Sequence, residues 1–329
     1  MIKIMQIGYG YWGNNVAAKL KQAKEFEFLY IAEQDAEKRR AAAERFPGIR
    51  AVENYKEYLN AVDAVAICTQ TQYSFDIAMD AMNAGKHVFI EKPMAKNMQL
   101  AELLANKAKE KGRILHCDHL MVYNHVIRYI KNMLVKGEIG EIMYIDISRV
   151  NLGPIRKDIN AMLDLAVHDI AVADYLLDGI APDTLSAYGS KFFGNQETIT
   201  YLTMKQKNVM IHINSSWVSP VKVRRTVVAG TKKMLVFDDV QSDKLTIYDS
   251  GIDVTQGRVY GEYEFKTRVG DIYIPRLEFE DALYNSLVHF ATCITDGKQS
   301  LSGPEQGLRV MRVLEQAQTC LQSSNVVDG

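Results

Sequence analysis

Two spacings of hydrophobic residues alternate along the first third of the chain. Short apolar runs typical of buried strands occur at residues 2–7, 26–32, 64–67, 88–90 and 114–117. Segments with the apolar spacing of helices lie between them, at residues 14–23, 36–46, 75–84 and 98–111. Strands that alternate with helices of this length form parallel sheets covered on both faces. The pattern therefore predicts an α/β domain over residues 1–120.

The pattern changes after this point, and it predicts an α+β domain over residues 121–329. Helices are expected near residues 123–134, 159–177, 283–295 and 303–321, and antiparallel strands are expected at 142–150 and from 185 to 248. Residues 250–278 have no clear periodicity and are interpreted as a long loop. Two domains also agree with the length of 329 residues, which is more than one hydrophobic core usually serves.

Composition and charge are those of an ordinary globular protein. Hydrophobic residues make up 47% of the chain and charged residues 24%, and the formal net charge is −1. Because there is no excess of positive charge, we expect no binding to nucleic acid or to a membrane surface. Four scattered cysteines, the lack of a long apolar run and an N-terminus that enters a strand directly indicate a cytoplasmic protein.

The segment "IGYGYWGNN" has the spacing of a dinucleotide-binding turn. Gly8 permits a tight turn after the first strand, Gly10 lets a pyrophosphate approach the backbone, and Gly13 allows close packing of helix on strand. An acidic residue, Glu33, ends the second strand, where its carboxylate can bind ribose hydroxyls and repel a 2′-phosphate. This favours NAD. The basic run at 38–40 is either a solvated helix face or a contact for a 2′-phosphate, so NADP stays open.

The segment "KHVFIEKPMA" runs an apolar strand directly into charged residues. Glu91 and Lys92 follow the strand, and Pro93 fixes the next bond. Strand counting places Lys92 on the same sheet edge as the glycine turn, where open α/β sheets bind ligands. A lysine whose pKa is lowered can take the proton of an alcohol as its hydride leaves. The alternative is a surface lysine whose stem packs along apolar residues.

The segment "DLAVHD" supplies a second pair of candidates. Asp164 and His168 lie four positions apart and share one face of a helix, so His168 can exchange a proton with a substrate hydroxyl while Asp164 binds another. Such a pair on an apolar helix can also be structural, and Asp169 is expected to be a surface or interface charge. Upstream, Arg156 lies either in a solvated loop or against an anionic part of the substrate.

A cluster of His116, Asp118, His119 and His125 has the residue types of a metal site. The first three of these straddle the end of a strand and are expected to point to different faces. No metal site is therefore predicted.

Taken together, "GYGYWGNN", "AVAICTQ", "AGKHVFIEKPMA" and "LDLAVHDI" resemble, in order and spacing, the glucose–fructose oxidoreductase / inositol dehydrogenase (Gfo/Idh/MocA) family. The resemblance covers essentially the whole chain. Within the family, the chain is similar to the branch associated with surface-polysaccharide and nucleotide-sugar metabolism.

The resemblance implies a Rossmann domain followed by a domain with a large, mainly antiparallel open sheet, whose exposed face makes a homodimer or homotetramer. It implies that Lys92 is the catalytic lysine and that Asp164 and His168 form the Asp-x-x-x-His motif. Thr69 and Glu91 match positions that line the nicotinamide end of the cofactor.

The chain departs from the family pattern in three places. Gln70 and Thr71 follow Thr69 where the family usually has proline, and Ser74 stands where a histidine is common. These two departures bear on how the cofactor is seated. Ala171 replaces an acidic residue that is often found three positions after the motif histidine, which bears on the substrate.

The sequence therefore predicts an NAD(P)-dependent oxidoreductase that acts on a hydroxyl or keto carbon of a sugar or nucleotide sugar. The cofactor contacts are expected to include Tyr11 and Trp12 beside Gly10, and the substrate contacts to include Tyr123 and Arg156. Two alternatives remain. One is a non-catalytic dinucleotide sensor or scaffold, and the other is a reductase of a non-sugar substrate such as a dihydrodiol or imine.

Overall fold

The computed structural model describes residues 1–256 and 263–324. The helices of this part are α1 (Tyr11–Gln22), α2 (Ala36–Arg45), α3 (Thr71–Asn83), α4 (Met98–Lys111), α5 (His125–Val135), α6 (Val167–Leu176), α7 (Ala282–Asp296) and α8 (Pro304–Ser324). Within the described residues, no helix is both long and apolar enough to cross a membrane.

The strands belong to three sheets. They are β1 (Ile2–Ile7), β2 (Phe26–Ala32), β3 (Arg50–Val52), β4 (Ala64–Ile67), β5 (His87–Ile90), β6 (Leu115–Cys117), β7 (Ile142–Leu152), β8 (Thr184–Ser190), β9 (Ile199–Gln206), β10 (Val209–Ser216), β11 (Val218–Gly230), β12 (Met234–Asp238), β13 (Leu245–Tyr248), β14 (Gly251–Gln256), β15 (Tyr263–Arg268) and β16 (Ile272–Tyr273).

The chain forms two compact units, Met1–Asn124 with Glu280–Arg312, and His125–Phe279 with Val313–Gly329. The sequence pattern assigns residues 280–312 to the second domain, whereas the structure groups them with the first unit. The reason is the apolar face of α7, since Leu287 and Phe290 belong to the hydrophobic core that β1, β2 and α1 build. The Phe290 ring stacks at 6.4 Å on Phe26 of β2.

The first unit contains a parallel sheet in the order β3-β2-β1-β4-β5-β6. All four residues of β4 are buried, as is expected for a strand covered on both faces. In α1, Val16, Ala17 and Leu20 form the buried face. The prediction of a Rossmann-type α/β domain is confirmed. The parallel register brings the carboxyl ends of β1, β4 and β5 to one edge.

The second unit is built on a mixed sheet in the order β16-β13-β12-β11-β7-β10-β9-β8. β7 and β10 run parallel, and the other neighbouring pairs are antiparallel. The predicted large, mainly antiparallel sheet is thus confirmed.

The prediction that residues 250–278 form a long loop is wrong for residues 251–256 and 263–268, because β14 and β15 pair there as antiparallel strands. The hydrophobic pattern failed at this place because exposed apolar side chains, such as Ile252 and Phe265, give these strands no buried face. Residues 257–262 lie outside the described part of the chain.

A buried ion pair attaches α6 to the sheet of the second unit. Arg149 of β7 donates from Nε and Nη2 to the two carboxylate oxygens of Asp169, at 2.6 to 3.1 Å. Asp169 is 1% exposed, so its interpretation as a surface or interface charge is wrong. Helical periodicity assigns Asp169 to one face of α6, but it gives no information about a cation on the neighbouring strand β7. This pair fixes the orientation of the helix that carries His168.

Asp169→Leu should destabilise the second unit strongly, because it leaves Arg149 buried without its counter-charge. We expect a loss of about 3–5 kcal/mol in the free energy of unfolding, measured by urea denaturation. The double variant Arg149→Met/Asp169→Leu removes both charges and should recover most of this loss. As a control, Glu110→Ala breaks an exposed pair with Lys107 and should leave the midpoint nearly unchanged. Equal stability of Asp169→Leu and the wild-type protein would contradict this account.

Candidate active site

The glycine turn that follows β1 has the geometry that its sequence demands. Gly8 has a φ of +93°, and a Cβ atom there would lie 2.7 Å from the carbonyl oxygen of Cys68. At Gly13, a Cβ atom would lie 2.6 Å from the carbonyl oxygen of Gly8. Neither position therefore accepts a side chain without moving backbone. In contrast, a Cβ atom at Gly10 would meet none of the described atoms within 4 Å, so open space lies over the start of α1.

A buried glutamine that the sequence analysis missed holds this turn together. The Gln6 side-chain amide donates to the carbonyl oxygens of Gly8 and Gly13, both at 2.8 Å. Gln6 is fully buried in β1. The available signal was a polar residue near the end of a mostly apolar strand, two positions before Gly8.

Glu33 follows β2, and its carboxylate faces the glycine turn. Its Oε2 accepts from the backbone N–H of Tyr9 at 2.7 Å, and its Oε1 accepts from that of Asp35 at 3.0 Å. These two bonds fix the carboxylate while each oxygen keeps a lone pair for a ligand hydroxyl.

In the basic run beside Glu33, the guanidinium group of Arg39 is held by contacts within the protein. Arg39 donates to the carbonyl oxygens of Glu33 and Gln34 at 2.8 and 2.9 Å, and it pairs with Glu53 at 3.2 Å. Because these contacts hold its guanidinium, Arg39 is poorly placed to bind a 2′-phosphate.

The residues at this edge fit a nicotinamide dinucleotide. The space over Gly10 adjoins the amino end of α1, where a pyrophosphate is stabilised. After β4, the hydroxyl of Thr69 is buried and has no hydrogen-bond partner among the described residues. An unsatisfied buried hydroxyl costs free energy that a ligand's polar group would recover. Gly10 and Thr69 would thus hold the pyrophosphate and the nicotinamide end, and Glu33 would hold the adenosine ribose.

The Glu-Lys-Pro segment reaches the same edge, as expected from the strand count. β5 ends at Ile90, and the indole N–H of Trp12, in the first turn of α1, donates to Glu91 Oε1 at 2.5 Å. The Lys92–Pro93 peptide bond is cis. Trp12, predicted to contact the cofactor, therefore connects the glycine turn with the residue that precedes Lys92, while Tyr11 is 92% exposed.

Three charged groups interact where β5 and β6 end. Glu91 is half-buried and Asp118 is fully buried, and their carboxyl groups interact with each other and with Lys92. Burial raises the pKa of Asp118 to about 7, against the opposing effects of the Ser286 hydroxyl, Glu91 and Lys92. Burial and the charge of Asp118 raise the pKa of Glu91 well above its usual value, while Lys92 and Trp12 oppose this shift.

Both shifts favour the protonated forms, so the two carboxyl groups bind a proton more readily than exposed carboxylates do. Asp118 was considered in the sequence only as part of a possible metal cluster. Among the described residues, no group of three or more histidine, cysteine or acidic side chains is arranged to hold a metal ion.

Tyr123 was predicted to contact substrate, but the structure gives it a different environment. It is fully buried, and its hydroxyl lies 2.9 Å from the Ser302 hydroxyl. Its ring stacks on His116 at 5.5 Å. Burial raises the pKa of Tyr123. Sequence position suggested proximity to the site, but it could not show that the ring turns into the core of the first unit.

In the second unit, Asp164 and His168 lie in consecutive helical segments. Asp164 is in a π-helical turn, Met162–Ala166, and His168 is in the first turn of α6. Such wide turns are frequent at functional sites. Asp164 Oδ2 accepts from the Trp217 indole N–H at 3.3 Å, and its Oδ1 lies 3.5 Å from Arg156 Nη1. Both motif residues are half-buried.

Arg156 lies next to Asp164, although its charge is already balanced. It donates to both carboxylate oxygens of Asp158, at 3.1 and 2.7 Å. The Asp158 hydrogen bonds and the carboxylates of Asp158 and Asp164 raise the pKa of Arg156. Its side chain is 45% exposed, so its outer face remains accessible to an anionic ligand.

Comparison with known proteins agrees with this architecture. The sequence profile described as "Oxidoreductase family, NAD-binding Rossmann fold" matches residues 2–119, and that of the GFO/IDH/MocA C-terminal domain matches residues 127–236. The solved structure of UDP-N-acetylglucosamine 3-dehydrogenase from Acidithiobacillus ferrooxidans superposes with a TM-score of 0.83 and 22% identity, covering 98% of each chain. This likeness concerns the fold.

Three of the relatives with assigned activities match over most of the chain. Scyllo-inositol 2-dehydrogenase (NAD(+)) of Bacillus subtilis is 26% identical over 72% of this chain and 69% of its own length. The Acidithiobacillus ferrooxidans enzyme is 26% identical over 76% and 78%. Myo-inositol 2-dehydrogenase of Thermotoga maritima is 24% identical over 84% and 86%. Together with the two profiles, the glycine turn and the Glu-Lys-Pro strand end, these matches show that the chain belongs to the Gfo/Idh/MocA family of oxidoreductases.

Proposed function

We propose that this protein is an NAD-dependent oxidoreductase that transfers a hydride between the nicotinamide and a hydroxyl or keto carbon of a sugar or nucleotide sugar. The observation that carries the proposal is the shared sheet edge, where a dinucleotide-binding turn, Glu33 and the Lys92 segment lie together. The three relatives named above act on inositols and on UDP-N-acetylglucosamine according to their names, which supports a polyhydroxylated substrate.

Lys92 is proposed as the group that exchanges a proton with the reacting oxygen. A bound nicotinamide supplies the hydride acceptor or donor. In the oxidation direction, Lys92 Nζ takes the alcohol proton and becomes an ammonium ion. The neighbouring Glu91 and Asp118 stabilise that charge, since they interact electrostatically with Lys92. In the reduction direction, the ammonium ion returns the proton to the carbonyl oxygen.

Asp164 and His168 are proposed to bind substrate hydroxyl groups. Trp217 and Arg156 hold the Asp164 carboxylate, so Asp164 is oriented before substrate arrives. The Arg149–Asp169 pair fixes the first turn of α6 and therefore the position of His168. His168 is suited to hold or move a proton at the substrate oxygen. The exposed face of Arg156 is proposed as a contact for an anionic substituent such as a phosphate.

We further propose a cytoplasmic homodimer or homotetramer formed through the open sheet. Exposed apolar side chains occupy adjacent strands, with Met210 opposite Tyr144 and Tyr188 opposite Tyr201. Such a patch favours association of identical surfaces. All four cysteines are free, which is consistent with a reducing compartment.

The direct test is cofactor reduction. Purified protein is mixed with NAD⁺ and, separately, with UDP-N-acetylglucosamine, scyllo-inositol or myo-inositol, and reduced nicotinamide is followed by absorbance. Reduction with any of the three supports the proposal. If none is oxidised, a wider panel of nucleotide sugars and polyols is tested in both directions. NADH binding without turnover across that panel would favour the sensor or scaffold alternative.

Lys92→Met should abolish turnover while leaving NADH affinity nearly intact. The methionine keeps the length and apolar stem of lysine but cannot carry a proton. Loss of the acid–base group is expected to lower kcat roughly 10²- to 10⁴-fold. The matched control is Lys96→Met, on the same segment but exposed, which should retain activity. Steady-state kinetics and NADH fluorescence titration measure the two effects, and unchanged kcat in Lys92→Met would refute the assigned role.

Glu33→Gln should weaken the preference for NAD over NADP. The substitution preserves the size of the side chain and removes the negative charge that repels a 2′-phosphate. We expect the ratio of kcat/KM for NADP to that for NAD to rise by on the order of tenfold or more. Glu53→Gln, which removes a carboxylate bonded to Arg39, is the charge-matched comparison. A ratio that changes equally in both variants would mean that Glu33 does not select the cofactor.

A further inference from the structure

A continuous chain of hydrogen bonds runs through the first unit from the Glu91–Asp118 pair toward the surface. Asp118 Oδ1 accepts from the Ser286 hydroxyl at 2.7 Å, and Ser286 Oγ lies 2.9 Å from His116 Nε2. On the other side of the imidazole ring, His116 Nδ1 lies 2.9 Å from the Ser300 hydroxyl. The chain thus joins elements that are far apart in sequence, namely β6, α7 and the segment before α8.

Burial separates this chain from bulk water except at one end. Asp118, His116 and Ser286 each have 0% exposure. Ser300 is partly exposed and lies between exposed neighbours, Gln299 and Leu301. The inner end adjoins Lys92, whose charge acts on both Glu91 and Asp118. The hydrogen-bonded chain therefore extends from Asp118, beside the candidate catalytic lysine, to the partly exposed Ser300.

The imidazole at the centre is held in position by aromatic rings. His116 stacks on Phe89 with ring centroids 4.9 Å apart and on Tyr123 at 5.5 Å. Phe290 contacts it edge-on at 5.6 Å. The ring therefore keeps both nitrogens aligned with Ser286 and Ser300. This packing also gives Tyr123 a physical role that does not involve substrate.

The protonation of these groups suits proton transfer. Burial, together with His289 and His119, lowers the pKa of His116 well below its usual value, so the ring is neutral at pH 7. A neutral imidazole can accept a proton at one nitrogen while it releases one from the other. At the inner end, burial raises the pKa values of both carboxyl groups and so favours their protonated forms.

We propose that Asp118, Ser286, His116 and Ser300 form a proton relay that connects Lys92, through the Glu91–Asp118 carboxyl pair, with solvent. The relay rests on the proposed oxidoreductase function, since it carries the proton that alcohol oxidation releases. Asp118, Ser286 and His116 thereby become positioning and proton-carrying residues of the reaction, although none of them is part of the glycine turn or the Asp-x-x-x-His motif.

The proton count balances over one turnover. In the proposed oxidation, the alcohol's hydroxyl proton passes to Lys92 Nζ while a bound NAD⁺ would accept the hydride, and the ammonium ion passes the proton to the carboxyl pair. Asp118 then donates to Ser286 Oγ as the Ser286 hydroxyl proton moves to His116 Nε2. His116 Nδ1 releases its proton to Ser300, which passes one to water. In the reduction direction each bond is reversed, with Ser286 donating to Asp118.

Ser286→Ala tests the relay by removing one hydroxyl. We expect kcat to fall on the order of tenfold, KM to stay within about twofold and the solvent isotope effect on kcat to rise. A small buffer base such as imidazole should recover part of the loss. Ser286→Thr, which keeps the hydroxyl, should be closer to wild type. Ser215→Ala, at a buried serine in the second unit, is the matched control and should change neither kcat nor the isotope effect.

A second measurement needs no substrate and keeps this proposal separate from the proposed function. Infrared spectra of the wild-type protein at neutral pH should contain a protonated-carboxyl band that is absent in Asp118→Asn. If the band is present but the wild-type protein oxidises no compound of the panel, the proposed function is wrong. The protonated Glu91–Asp118 carboxyl pair would still be established. Absence of the band, or an unchanged kcat and isotope effect in Ser286→Ala, would overturn the relay.

Discussion

The burial of charge at the end of β5 is the constraint on which the site depends. An apolar strand delivers Glu91 and Lys92 to an edge where Asp118 also lies, and an isolated charge of this kind would cost several kcal/mol if it stayed buried without a partner. The structure meets this cost with a lysine, an indole N–H and a serine hydroxyl, and with raised pKa values that favour the protonated carboxyl groups. In the proposed reaction, the same strand end supplies Lys92 as the group that exchanges a proton with the substrate.

The cofactor-binding residues and the Asp-x-x-x-His motif are each positioned by rigid elements of their own unit. In the first unit, Gln6 holds the glycine turn and two backbone N–H groups hold Glu33, so the cofactor contacts do not depend on loop ordering. In the second unit, Arg149 fixes α6 from beneath. Each of these contacts is made within the protein before a ligand binds. Preorganisation of this kind lowers the entropic cost of binding.

The sequence predicted the features that arise from local spacing. Strand and helix periods gave the parallel sheet, and the glycines with Glu33 located the dinucleotide turn. It could not predict contacts between distant segments. Asp169 was interpreted as a surface charge because its partner, Arg149, is 20 residues away on a strand. Tyr123 was expected at the substrate because chain position does not reveal that its ring faces Ser302. The π-helical turn at Asp164 likewise has no periodic signature.

His116 and Asp118 show why residue type alone misleads. In the sequence they belong to a histidine-rich cluster whose residue types are those of a metal site. In the structure, their nitrogen and oxygen atoms face hydroxyl groups of Ser286 and Ser300, which arrive from α7 and the segment after it. Because a hydroxyl group can both donate and accept a hydrogen bond, His116 and Asp118 belong to a hydrogen-bonded chain and not to a metal site. Residues 280–312 belong to the first unit and supply Ser286 and Ser300. They therefore provide the hydrogen-bond partners of His116 and Asp118.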